Sequence, residues 1–249
     1  MYNPFSLQGK TVLITGASSG IGKATAVECS KMGANVIITG RNEERLNETF
    51  EALQGENNKK FLGDLTLQED VEKLANQLPA LDGIVHSAGI SGDRVPFSFI
   101  SSEKIKSVFD INFFTPVLFS KALLKAKKLQ NGASIVFISS IGGAISPAVA
   151  HSIYCASKSA VSAMAKCMAL DLSAKKIRAN CICPGMIETP MAEYEGITQE
   201  QYEADKNKYP LKRYGKPEEV AYAVIYLLSD ASCWITGTNL TIDGGITLL

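Results

Sequence analysis

The sequence predicts one α/β domain, a doubly wound parallel sheet of about seven strands with helices on both faces, and three observations carry this. Short apolar runs rich in β-branched residues alternate with amphipathic stretches along the whole chain. Those runs carry few charges on either alternating face, so both faces are buried, as in a parallel sheet. The 249 residues suit one domain with a large core, and no repeat, low-complexity tract or linker divides them.

Charge is balanced at 25 basic and 25 acidic residues, which argues against a nucleic-acid or anionic-membrane partner held by bulk charge. No basic stretch followed by an apolar one opens the chain, so no secretory signal is expected. The longest run free of Asp, Glu, Lys and Arg, 129–157, is broken by Gly132, Gly142, Gly143 and Pro147. It reads as strand, loop and helix start, not a membrane span. Six cysteines show neither zinc-site nor CxxC spacing, so no metal is expected. They read mostly as buried thiols in a reducing cytoplasm.

Strands are expected at 11–15, 35–39, 60–63, 82–86, 134–139, 177–183 and 239–242. Helices are expected near 20–32, 42–53, 67–78, 103–130, 152–173 and 217–229. The first strand runs into Thr15-Gly16-Ala17-Ser18-Ser19-Gly20-Ile21-Gly22 and then a helix. Glycines at this spacing let the backbone turn sharply and let a pyrophosphate approach the helix N-terminus, whose free N–H groups favour anions. A bare tight connection needs no nucleotide, but the position directly after the first strand favours one.

The second strand ends Thr39-Gly40-Arg41. An acid there would bind a ribose 2′-hydroxyl and repel a 2′-phosphate. Gly40 supplies none, and Arg41 offers a guanidinium suited to phosphate, so NADP(H) is favoured over NAD(H). The plainer reading is a solvated arginine paired with Glu43 and Glu44. Asp64, ending the third strand, either accepts from an adenine amino group or is a helix N-cap before Thr66. Strand four ends His86-Ser87-Ala88-Gly89, small residues where a coenzyme can pass close to backbone. His86 reads as a packed residue with no role.

In the next helix Pro116 has no N–H, so the carbonyl of Asn112 loses its usual partner and a bend is expected. This is either a packing kink or a place where a water held at Asn112 links Lys158 to solvent. Tyr154 and Lys158 lie four apart on one helix side. An ammonium about 4 Å from a phenol favours phenolate by roughly 4 kcal/mol at an effective dielectric of about 20. That is about three pKa units, enough to bring a tyrosine near 7, where acid–base catalysts work best. Ser139 and Ser140 both precede this helix, and strand alternation lets only one enter a cleft.

Taken in order, Thr15–Gly22, Asp64, Ala88-Gly89, Asn112, Ser140, Tyr154, Lys158 and Pro184-Gly185 resemble the short-chain dehydrogenases/reductases. The resemblance covers essentially the whole chain. The segment Arg213–Val220 and the tail Asp243-Gly244-Gly245 are similar to the 3-oxoacyl-acyl-carrier-protein reductase-like members. It implies a Rossmann fold, a homotetramer and a place in fatty acid biosynthesis. It implies that Tyr154 protonates the substrate oxygen, that Ser140 polarises it, that Lys158 binds ribose and lowers the tyrosine pKa, and that Asn112 holds a relay water. Gly16, Ser18, Ser19, Gly20, Ile21, Gly22, Arg41, Asp64, Leu65, Ala88, Gly89, Pro184 and Gly185 would contact the coenzyme, with Ile187 and Thr189 at its carboxamide end. Ser140 is preferred over Ser139 because it adjoins Ile141-Gly142-Gly143, as the family's serine adjoins its turn. Two departures stand out. His86-Ser87 replaces the usual Asn-Asn, and Ser140 lies one residue further from Tyr154 than is usual.

The expected helix at 152–173 is apolar nearly all round from 159 to 170, so one side should pack on the sheet and the other on a second subunit, or else under a loop of the same chain. The stretch 186–214 mixes acids with Tyr194, Tyr202 and Tyr209 and reads as a mobile helical lid over the substrate, which with loop 90–102 sets specificity. His151 and Met191 read as exposed loop positions more readily than pocket ones. An acidic carrier protein would want a basic patch, for which Lys125, Lys127, Lys128, Lys175, Lys176 and Arg178 are candidates. The substrate is then a small or carrier-bound ketone, a 3-oxoacyl thioester first, a sugar or steroid second. A non-catalytic NADP-binding regulator is the alternative from another class.

Overall fold

A computed structural model describes residues 2–192 and 198–249. In chain order the main elements are β1 (Thr11–Thr15), α1 (Gly20–Lys31), β2 (Asn35–Gly40), α2 (Glu43–Glu51), β3 (Lys59–Leu62), α3 (Gln68–Gln77), β4 (Leu81–His86) and α4 (Ser102–Phe109). After a π turn at Asp110–Phe114 come α5 (Thr115–Lys125), β5 (Leu129–Ile138), the short α6 (Ile141–Ala144), α7 (Ser152–Asp171) and β6 (Arg178–Pro184). The chain ends with α8 (Gln199–Lys206), α9 (Pro217–Leu228) and β7 (Asn239–Ile242). All strand pairings are parallel, in the order β3-β2-β1-β4-β5-β6-β7.

Strand alternation divides the interior into two cores. Leu13, Ile37, Ile84, Ile135 and Cys181 face one side, where they meet Leu74, Phe119, Leu123, Val161 and Ala165 of α3, α5 and α7. Val12, Val36, Val85, Val136 and Ile182 face the other, against Ala26, Cys29, Val220 and Val224 of α1 and α9. Both faces are thus covered, which explains the uncharged strands. The strand order reverses between β1 and β4, and a crevice opens there at the carboxyl ends of the strands, the ligand position of doubly wound sheets.

Three expectations change. The helix expected at 103–130 is two helices separated by the π turn, and β5 begins at Leu129, where Leu129 pairs with Leu81 ahead of an irregular register. The irregularity foreseen at Pro116 is the π turn itself, in which both the N–H and the hydroxyl of Thr115 bond the carbonyl of Asp110. Ser102–Lys125 is long and apolar enough by length and composition to cross a bilayer, but here Phe119 and Leu123 are fully buried against the sheet. The stretch 186–214 contains α8, opened by a Thr198–Gln201 capping box. Its ends are pinched together, since Ile187 bridges Gly215 and the two flanks exchange backbone hydrogen bonds. Glu193, Tyr194 and Glu195 lie outside the described residues.

Candidate active site

A cleft of about 780 Å³ opens at the switch point, and every residue that the sequence assigns to the coenzyme lines it. Its floor is the β1–α1 turn. Gly16 has φ +65°, and a Cβ there would fall 2.6 Å from the Ala88 Cα. A Cβ on Gly22 would fall 2.2 Å from the Gly16 carbonyl oxygen. The turn therefore closes tightly on itself and on the end of β4. Thr15 Oγ1 ties the two together by accepting from the N–H groups of Ser87 (3.2 Å) and Ala88 (3.3 Å). At the start of α1, Ser19 makes no side-chain cap and the first turn has no acid, so the helix N-terminus meets the cleft with its anion-binding capacity intact. These residues fit a dinucleotide pyrophosphate.

At the β2 end the Arg41 guanidinium lies 3.6 Å from Asp64 Oδ2. Asp64 Oδ1 accepts from the Thr66 N–H (3.0 Å) and hydroxyl (2.8 Å). Burial opposes ionisation of Asp64, but the Thr66 bonds and Arg41 outweigh it and hold the carboxyl below its ordinary range. Asp64 is not a helix N-cap, because α3 starts at Gln68 with Leu67 ahead of it; its Oδ1 closes the turn at Thr66 instead. Arg45 also lines this end. It escaped the sequence reading although it lies one helical turn beyond Arg41.

At the other end stand Ser140, Tyr154 and Lys158, all lining the cleft. Ser139 is fully buried, donating to or sharing bonds with the Lys158 carbonyl (3.0 Å) and Ser162 (2.9 Å). Ser140 is the partly open hydroxyl, and its Oγ accepts from the Gly142 N–H at 3.1 Å. Lys158 donates from Nζ to the Ile138 carbonyl at 2.8 Å and sits 5.8 Å from the Tyr154 ring centroid. Burial pulls its pKa down to about 8. Asn112 does not line the cleft but stands behind it. Its amide nitrogen donates to the Ile90 carbonyl (2.9 Å) and to Ser157 (3.0 Å), while its oxygen accepts from the Ile90 N–H (2.9 Å). Both amide hydrogens are spent, so a water here would have to use the oxygen or the main chain. A Cβ on Gly89 would fall 3.2 Å from Asn112 Oδ1 and 3.3 Å from Lys158 Nζ, which places the two side by side.

His86 is packed as expected: buried, stacked on Phe137 at 4.9 Å, and bonded through Nε2 to Ser120 at 2.8 Å. Burial drives its pKa to about 3. His151 and Met191 are corrections, because both line the cleft. His151 lies flat on Tyr154, ring centroids 4.6 Å apart and planes at 11°. Helical spacing of three residues was the signal available for this. Arg94, Asp205 and Tyr209 also line the substrate end. The six basic candidates do not line the cleft. They cluster at the amino ends of β5 and β6, a strand length of roughly 20 Å away within one chain. Lys128 is occupied by the Leu78 carbonyl (2.5 Å), and Arg178 is turned inward toward Ile235 and Ser229.

The family model described as "Enoyl-(Acyl carrier protein) reductase" matches residues 16–247. The chain is 36% identical over 243 residues to a 3-oxoacyl-[acyl-carrier-protein] reductase FabG of Rickettsia felis, covering 98% of this chain and 99% of the relative. It is 33% identical over 247 residues to a glucose 1-dehydrogenase of Gluconobacter oxydans, covering 96% and 92%. Among solved structures, a Beutenbergia cavernae chain described as an NAD(P)-dependent gluconate 5-dehydrogenase with bound NADP superimposes with a TM-score of 0.89 at 27% identity, over 99% of this chain and 100% of that one. With its sheet order, its glycine turn and its Ser140, Tyr154 and Lys158 gathered in one cleft, the chain belongs to the short-chain dehydrogenase/reductase family.

Proposed function

We propose that the protein is an NADPH-dependent reductase of a ketone to a secondary alcohol, reversible in principle, with a 3-oxoacyl thioester such as a carrier-bound 3-oxoacyl chain as substrate. The observation that carries this is the meeting of Ser140, Tyr154 and Lys158 at one end of a cleft whose other end fits a dinucleotide. A bound NADPH supplies the hydride that adds to the carbonyl carbon. Tyr154 donates its phenolic proton to the carbonyl oxygen as negative charge develops there, and Ser140 donates a hydrogen bond to the same oxygen. Lys158, charged below about 8, stabilises the phenolate left behind and holds the ribose. The proton returns to Tyr154 through Lys158 and a water at Asn112. The Ile187–Thr189 segment meets the carboxamide end, Asp64 and Leu65 the adenine, and Arg41 the 2′-phosphate.

A sugar ketone or alcohol is the second reading, favoured by the names of the glucose and gluconate relatives. The six unpaired thiols suit a reducing compartment. The uncovered outer faces of α5 and α7 suit a homotetramer. Two measurements test the reading: NADPH and NADH oxidation against 3-oxoacyl thioesters, sugars and steroid ketones, and the same assay on Tyr154→Phe. The variant should bind NADPH as the parent does and lose reduction by roughly 10²- to 10⁴-fold. Retention of most of the activity would remove Tyr154 as the acid and leave an NADP-binding protein of another kind.

A further inference from the structure

Ser140 follows the end of β5, whereas Tyr154 and Lys158 belong to α7, so the reaction depends on how the helix is held against the strand. Ser139, next to Ser140, makes that join. Its main-chain N–H donates to the Ile182 carbonyl of β6 at 2.8 Å, which fixes it in the sheet. Its hydroxyl donates to the Lys158 carbonyl at 3.0 Å and meets the Ser162 hydroxyl at 2.9 Å. A serine has one hydroxyl hydrogen, and the carbonyl takes it, so Ser162 is the donor in the second contact. The Lys158 carbonyl thus receives two hydrogens, one from Ser139 and one from the helical N–H of Ser162. Ile138, one residue earlier, accepts from Lys158 Nζ at 2.8 Å. Two successive residues at the strand end therefore hold Lys158 by its main chain and by its ammonium. The short α6 presses on the same residue: a Cβ on Gly143 would fall 2.6 Å from both the carbonyl carbon and the Cβ of Lys158. Burying the Ser139 hydroxyl, 3% exposed, carries a desolvation cost that a methyl group would not. What the hydroxyl adds is direction.

We propose that Ser139 is a positioning residue, whose hydroxyl clasps the Lys158 carbonyl and so sets α7, with Tyr154 and Lys158, at the reacting distance from Ser140. This rests on the ketone-reductase reading above. Without the clasp, α7 stays packed on the sheet but loosens at Lys158. Ser140 and Tyr154 then meet the substrate oxygen less well together, and water reaches the ammonium. The titratable groups that bear on Lys158 among the described residues are Tyr154 on its own helix and the Cys181 and Cys183 thiols of β6. Burial pushes both thiols up, Cys181 to about 12. They stay uncharged, and the ammonium reports its own solvation.

The test pairs Ser139→Ala with Ser162→Ala, which removes a hydroxyl from the same buried layer and leaves the bond to Lys158 standing. In Ser139→Ala the freed Ser162 hydroxyl can turn onto the carbonyl four residues back in its own helix, so no buried donor is stranded and the variant should fold. Should it not, Ser139→Cys, a much weaker donor, reads the same clasp. Two quantities are followed. One is kcat and KM for acetoacetyl-coenzyme A with NADPH. The other is the Lys158 pKa, by carbon NMR of lysine labelled at Cε, assigned by its loss in Lys158→Met. The parent lysine should titrate at about 8. In Ser139→Ala, kcat should fall roughly 10- to 100-fold with KM little changed, and the lysine should move up by about one unit as water reaches it. Ser162→Ala should leave both nearly as in the parent. An unchanged kcat or an unchanged titration in Ser139→Ala, or equal changes in Ser162→Ala, would overturn the assignment while leaving the reductase reading in place. A parent that reduces neither acetoacetyl-coenzyme A nor any other ketone would overturn the reductase reading, and the titration would still decide whether Ser139 holds Lys158.

Discussion

Two buried nitrogens beside the cleft, Lys158 Nζ and His86 Nε2, are both drawn toward their neutral forms by burial, with different consequences. Lys158, near 8, keeps its charge at neutral pH and can act on Tyr154. His86, near 3, is neutral throughout the working range and is a packing residue with one hydrogen bond. Below its ordinary 6.5 the unfolded chain binds a proton that the folded chain refuses until about 3. The stability His86 contributes is therefore complete above 6.5 and is lost as pH falls, by up to about 1.4 kcal/mol per unit. His86→Asn abolishes this titration. Denaturant unfolding at pH 6.5 and 4.5 should show the parent losing about 2 kcal/mol relative to the variant, and a constant difference would contradict a neutral His86. At the opposite end of the cleft, Arg41 is the cation we propose for a 2′-phosphate. Arg41→Ala should raise KM for NADPH roughly 10- to 100-fold, as loss of a charged hydrogen bond does, and leave KM for NADH nearly unchanged. Equal effects on both coenzymes would remove the arginine from phosphate recognition.

Among the elements, α8 is the one whose position depends on few contacts. The hydroxyl of Tyr214 donates to Asp205 Oδ2 at 2.5 Å, and Lys206 reaches Glu188 at 3.4 Å. Burial of the phenol and the adjacent Asp205 carboxylate push the Tyr214 pKa up, so it remains a donor at any working pH. The Met186 N–H donates to Tyr209 Oη at 3.2 Å. The Ile187–Gly215 bridge ties the flanks of this stretch together, and the lid we propose there would hinge at that bridge. Tyr214→Phe removes its strongest polar anchor. Hydrogen exchange across 199–206 should quicken by about tenfold, and KM for substrate should rise more than kcat falls. Unaltered exchange would show that α8 is held by something else. The capping box of α8 is readable in Thr198-x-x-Gln201, whereas its docking through Tyr214 joins positions nine residues apart and is not.

At the scale of the molecule, the sheet is covered on both faces but the outer surface is not uniformly polar. Leu118 and Leu170 are 50% and 77% exposed, and Phe114, four residues before Leu118, is 47% exposed. On α7 from Ser152 to Leu170 the exposed positions are Ser152, Ala156, Ser159, Ala163, Lys166, Cys167 and Leu170, a face of mostly small side chains with a single charge, at Lys166. No loop among the described residues covers it, so of the two explanations offered by the sequence, a second subunit fits better. Leu118→Glu combined with Leu170→Glu should convert the tetramer we propose to smaller species in sedimentation velocity without loss of the far-ultraviolet spectrum. An unchanged sedimentation coefficient would place the interface elsewhere.

The amino-acid sequence by itself determined the alternation of strands and helices, the glycine turn after β1, the absent acid at Gly40 and the four-residue spacing of Tyr154 and Lys158. Each of these is a local property, set by period, turn chemistry or helix geometry over a few residues. Only the tertiary structure showed how Ser139 and Ser140 differ: the first is buried with its hydroxyl on the Lys158 carbonyl and Ser162, the second is partly open at the cleft. It also brought His151, Arg45 and Arg94 into the cleft and left the lysines before β5 and β6 outside it. Those placements arise from crossovers that join residues distant along the chain, and no local pattern encodes which end of a parallel sheet a charged residue will reach once the helices between the strands have packed.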